Sequence, residues 1–128
     1  MAQLREITTH RADPDTDLHL RIFASDNPGP AGENARYAIE VYQGPQGHLV
    51  GTTLLTFQRR PLKLALANGI TNEALLAIVA DRLEAFQKGP FRCLENMAAL
   101  RHVHTALRAL HQRTLDRKQR KVEGTNQP

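Results

Sequence analysis

The chain has 128 residues, 41% hydrophobic and 23% charged, with a formal net charge of +4 and a pI near 9.7. This is ordinary composition for one globular domain, and with no Trp and 5% aromatics any core must be aliphatic. A single Cys excludes an internal disulfide, no apolar run nears the roughly 18–20 residues of a bilayer span, and the amino terminus lacks a signal-peptide pattern, so a cytoplasmic protein is expected.

Residues 1–16 read as a polar lead-in. Leu18, Leu20 and Ile22 then alternate with His19, Arg21 and Phe23, which is strand periodicity. NPGPAGEN, Asn27 to Asn34, is a loop with two prolines and two glycines. Tyr37, Ile39 and Val41 alternate next. GPQG, Gly44 to Gly47, signals a hairpin, and a third strand follows from Leu49 to Phe57. Short connections between these strands predict an antiparallel meander, with Leu62–Leu66 a candidate for a fourth short strand.

After Asn68-Gly69 the period becomes helical. Leu75, Val79, Leu83 and Phe86 form one stripe, Thr71 or Asn72 can cap the start, and Gly89-Pro90 ends the helix. A second helix is predicted from about Arg92 to Arg117, with Leu94, Met97, Leu100, Val103, Leu107 and Leu110 three or four residues apart. It should span about 35–40 Å against about 25 Å for the first. The unmatched apolar length must pack on the sheet or on another chain, which predicts oligomerisation. The predicted fold is α+β: a lead-in (1–16), an N-terminal β region (17–66), a C-terminal antiparallel helical hairpin (70–118) and a polar tail (119–128), compact as a whole.

The charge is unevenly placed. Residues 1–64 carry 7 basic and 7 acidic groups, while residues 65–128 carry 10 basic and 6 acidic groups, which is the whole excess. A one-sided positive field suits anionic partners, although a solvated basic face gives the same pattern. The hairpin turn gathers FQKGPFRCLEN, Phe86 to Asn96. Phe86 continues the helix stripe and reads first as core. Phe91 lies off the stripe and either stacks on a base or staples the turn. Asn96 either reads a purine edge with its amide or bonds the local backbone. Cys93 reads as a packed thiol. At the other end of the long helix, Arg113, Arg117, Lys118, Arg120 and Lys121 precede Gly124-Thr125. This end suits phosphate, or only complements the helix dipole. His104 and His111 stand about 10 Å apart along the axis, too far to share one metal ion. No Ser-His-Asp, HExxH, GxGxxG or Walker arrangement is present, so the residues point to binding rather than turnover.

Three motifs at these separations resemble a known phage family. They are TNE at Thr71–Glu73, RLxxFQxGxFxCxEN from Arg82 to Asn96, and RTxDRxxRxVxGT from Arg113 to Thr125. Together they cover roughly the last 58 residues and are similar to the helical hairpin shared by Thoeris anti-defence sponges and anti-CBASS sponges. The β region ahead of the hairpin selects the Thoeris sponge family, since anti-CBASS sponges of this type are essentially the hairpin alone.

The resemblance implies a non-enzymatic protein, working in the cytoplasm of an infected bacterium, that sequesters cyclic ADP-ribose isomers without degrading them. It implies self-association to a homo-hexamer and separate sites for cyclic oligonucleotides, and no cofactor, membrane or long nucleic acid is expected beside them. On this resemblance Phe86, Asn96 and Arg113 line the ADP-ribose pocket; Phe91 is placed with them on its own position beside the turn, off the helix stripe. Arg117, Arg120, Val122, Gly124 and Thr125 form the cyclic-oligonucleotide site, with Arg120-Lys121-Val122 where the family commonly has Arg-Gly-Val. Arg60 joins the ADP-ribose pocket as the strand-side cation, without a motif behind it. Two rivals stay open: a small basic nucleic-acid-binding protein, and an enzyme that degrades the same signals.

Overall fold

A computed structural model describes residues 4–43, 47–59 and 66–120. Arg60, Val122, Gly124 and Thr125 lie outside the described residues, as do most of the candidate strand Leu62–Leu66 and of the GPQG turn. The chain divides into two units, residues 1–59 and 60–128.

The first unit is a four-stranded antiparallel sheet in the order β1-β2-β3-β4, made of Arg5–Ile7, Leu20–Ala24, Arg36–Tyr42 and Leu49–Thr56. The meander is as expected, but its first strand corrects the reading of residues 1–16 as lead-in. Three residues are too few to show a period of two. β1 is specified by its partner instead, with Ile7 opposite Ile22 and a bidentate Arg21–Glu6 pair at 3.0 Å beside it. The second strand begins at Leu20, not Leu18. Asp17 has φ 51° and its carbonyl accepts from the Leu20 backbone at 3.1 Å, so a turn holds the residues before Leu20.

The register sorts side chains into two faces. Ile7, Leu20, Ile22, Ala24, Tyr37, Ile39, Val41 and Leu55 share one, where the Tyr37 ring meets Phe57 edge-on with centroids 5.6 Å apart. Glu6, Arg21, Phe23, Glu40, Thr52 and Leu54 share the other. Val50 is an extra residue in β4, where the register shifts at Val41/Tyr42. The Asn27–Asn34 loop is tied back at its base. Asp26 accepts from the Ala35 backbone at 3.0 Å and from Asn34 Nδ2 at 3.1 Å, and it pairs with Arg59. Arg5 donates to Asn34 Oδ1 at 2.8 Å, so both ends of the sheet's sequence meet at this loop.

The second unit is a pair of helices, α1 Asn72–Lys88 and α2 Leu94–Gln119. Thr71 caps α1, its hydroxyl accepting from the Ala74 backbone at 3.1 Å. Gly89 closes it, donating to the Phe86 carbonyl at 3.2 Å. Removing the cap with Thr71→Ala should cost about 1 kcal/mol. Faster amide exchange in the first turn of α1 alone would report it, and unchanged exchange would show that the cap contributes nothing.

The packed stripe of α1 is rotated from the expected one. Of the expected residues Leu75 and Leu83 are half-buried but Val79 and Phe86 are exposed, while Leu76, Glu84 and Gln87 are half-buried and Ala80 is buried. Glu84 meets His104 of α2 at 3.1 Å and Gln87 meets the backbone of Cys93, so this side faces α2. The small Ala80 lies between Leu76 and Glu84 and allows close approach. No residue of α2 is buried. Leu94 and Met97 at its start and Leu115 near its end are all exposed, so apolar surface is exposed at both ends of α2 and not only at the far one. Among the described residues, no helix is long and apolar enough to cross a membrane.

Candidate functional site

The turn between the helices is built by short-range bonds. Gln87, in the last turn of α1, accepts from the Cys93 backbone through Oε1 at 3.1 Å. Cys93 takes the N-cap position of α2, and its Sγ accepts from the Asn96 backbone at 3.4 Å. Cys93 is therefore an exposed capping residue rather than a packed thiol. The extended backbone that a cap requires keeps it outside the helix, which starts at Leu94 and not at Arg92.

Three features of this turn suit a flat, anionic ligand. First, Phe86 is 39% exposed and not core, and the Arg82 guanidinium sits 5.7 Å from its ring centroid. A cation over one face of a ring leaves charge available to phosphate beside a stacking surface. Second, Phe91 is 73% exposed, with Leu94 and Met97 open near it in sequence. Third, the Asn96 backbone is occupied by the cap, but its side-chain amide bonds to no described residue. An amide without a partner among the described residues can offer one donor and one acceptor to a base edge.

The other candidates fall elsewhere. Arg113 lies 17 residues beyond Asn96 on the same helix, about 25 Å along the axis, so one chain does not bring the two together. Arg117 is half-buried and Arg120 is the C-cap of α2, its backbone donating to the Asp116 carbonyl at 3.0 Å. These two stay at the basic end of α2, with Lys118. Among the described residues no three His, Cys, Asp or Glu side chains converge on a metal position.

Arg82 and Gln87 belong to the candidate site by their contacts with Phe86 and Cys93, and residue types alone give them no role. Arg82 was legible from its spacing, since residues four apart on a helix are neighbours and Arg82 precedes Phe86 by four. Gln87 has no comparable signal. Its bond spans a turn whose geometry only the folded chain fixes.

No protein-family model matches this chain. Thoeris anti-defense 1 of Bacillus phage SBSphiJ7 is 44% identical over 99 residues, which are 77% of this chain and 66% of that protein. The chain belongs to the Thoeris anti-defense 1 family. The aligned region spans a little under two thirds of the relative's own length. It is too long to be contained in either unit alone, so the kinship embraces part of the sheet as well as part of the helical pair.

Proposed function

We propose that the chain is a phage anti-defence protein that acts as a non-enzymatic sponge for cyclic nucleotide immune signals. Its main ligand is a glycocyclic ADP-ribose, held at the helix turn, and cyclic oligonucleotides bind the basic end of α2. The observation that carries this reading is the turn itself: an exposed Phe86 ring under Arg82, with the free Asn96 amide on the next helix. The relative's name supports the defence-related setting.

An adenine, two riboses and two phosphates ask for a stacking face, an edge contact and cations, and these residue types supply them. A sponge acts by mass action. It must be abundant, and tight enough to keep free signal below the receptor's threshold. Turnover would need a positioned base to activate water, and the residues of the turn do not provide a nucleophile–base pair. Self-association, with six copies as the family resemblance implies, belongs to the same reading, because α2 keeps apolar residues open at both of its ends.

Mass spectrometry after exposure to immune-activated lysate tests this directly. Heating the washed protein should release an intact cyclic ADP-ribose isomer. Altered product would point to a degrading enzyme, and recovery of long nucleic acid, lost steeply with added salt, to a basic nucleic-acid-binding protein.

A further inference from the structure

The two outer strands of the sheet differ in a way that the ligand reading does not use. β1 is three residues long and carries Arg5 and Glu6, the usual means of blunting an edge. β4 is eight residues long, LVGTTLLT, with no charge and no Pro, and it is the last strand in the sheet order among the described residues. Uncharged length at an edge is a template for pairing.

The hydrogen-bond parity of β4 can be read from the register. The Phe57 backbone donates to the Ala35 carbonyl at 2.7 Å. Leu55 opposite Tyr37 and Thr53 opposite Ile39 continue that series in steps of two. These residues turn their N–H and C=O towards β3. The alternate residues Thr52, Leu54 and Thr56 turn theirs to the outer side. Leu54 adds a second, independent feature. It belongs to the face of Glu6, Arg21 and Glu40, not to the apolar face, and it is 75% exposed. A leucine there is not explained by whatever the apolar face packs on.

We propose that β4 pairs antiparallel with β4 of a second copy of this chain, about a two-fold axis through Leu54, joining two sheets into one. The occupant is a second copy because the edge is self-complementary. With Leu54 opposite Leu54, Thr52 of each copy falls opposite Thr56 of the other, and every outward group of the three residues has a partner. The two exposed leucines cover each other on the polar face. An uncharged strand also meets its own copy without like-charge repulsion.

The interface is independent of the ligand reading, and its test does not use ligand. In a Cys93→Ser background, which keeps a capping oxygen, single cysteines are placed at Thr52, Leu54, Thr56 and Leu55. Residues paired across a two-fold lie about 5.5 Å apart at Cα, within the roughly 4.4–6.8 Å that a disulfide needs. Mild oxidation should convert the Leu54→Cys chain of 14.3 kDa into a species of twice that mass, about tenfold faster than Leu55→Cys.

Leu54→Pro removes only an outward N–H, so it should lower the mass seen by light scattering while strand circular dichroism is kept. Equal crosslinking at Leu54 and Leu55, or an unchanged mass for folded Leu54→Pro, overturns the proposal. Hydrogen exchange on the unaltered protein decides if the variants misfold. The Leu54 amide should slow as concentration rises. Fast exchange at every concentration, or protection independent of concentration, means no second copy pairs there and overturns it as well.

Discussion

Asn96→Ala should weaken binding of a cyclic ADP-ribose isomer by about 10- to 100-fold with no loss of fold. A buried amide contact contributes roughly 1–3 kcal/mol, and the Asn96 backbone bond that caps α2 is untouched by the change. Phe86→Ala should cost a similar factor through the lost stack, worth roughly 1–3 kcal/mol. From sequence alone that variant was ambiguous, because a core phenylalanine would unfold the protein. At 39% exposure Phe86 leaves little cavity behind, so its thermal midpoint should move by only a few degrees. Arg117→Ala, far along α2, should spare this ligand and weaken a cyclic trinucleotide. Calorimetry with both ligands on the three variants separates the outcomes. Parallel loss of both ligands in every folded variant would mean one shared pocket, and normal ADP-ribose binding by Asn96→Ala would remove the turn from the site.

The largest effect on stability is expected at Asp26. Its side chain is only 9% exposed. Desolvation pushes its carboxyl upward, but the Ala35 and Arg36 backbone donors, Asn34 and Arg59 outweigh it and hold the pKa at about 2, down from 3.8. Asp26→Ala takes the carboxylate acceptor from the Ala35 N–H and leaves Asn34 Nδ2 only the backbone carbonyl of residue 26, so it should cost about 2–4 kcal/mol, less than a fully buried pair because Arg59 is 47% exposed.

The sign with pH follows from the lowered value. The folded unit binds fewer protons than the unfolded chain between about pH 3.8 and 2. Asp26 therefore contributes its full share above that window, and the share is lost as pH falls through it, on the order of 2 kcal/mol in all. Denaturant titrations from pH 5 to pH 2 should show a steeper acid loss for the unaltered protein than for Asp26→Asn. Parallel curves would show that the carboxylate is not what ties the loop.

Much of the fold could be read from periodicity. The three longer strands alternate cleanly because one face is apolar, and the helices announce themselves through Thr71, the Gly89-Pro90 stop and residues spaced by three and four. β1 was hidden because three residues carry no period and its pairing is set by a strand 15 residues away. The rotation of α1's packed stripe was hidden for a different reason. Apolar residues surround much of that helix, and only the contacts of Glu84 and Gln87 decide which side meets α2. At the turn, residue types gave Phe86 and Asn96, but the exposure of Phe86 depended on which side of α1 meets α2, and the placement of Cys93, five residues past the end of α1, on a bond from its backbone to Gln87.

Ala80 sets the gauge of the helical pair. It is the one buried residue of α1, on the side that faces α2, and a methyl group there works as a spacer of minimal thickness. Phe86 is six residues further on, about 9 Å along the axis. Any bulkier side chain at Ala80 would act as a wedge near the middle of two stiff rods, and rods pried apart at the middle diverge at the ends. The ring of Phe86 and the amide of Asn96 stand on different rods at such an end. Their separation, and with it the size of the ligand proposed to lie between them, is governed in part by a residue that touches neither.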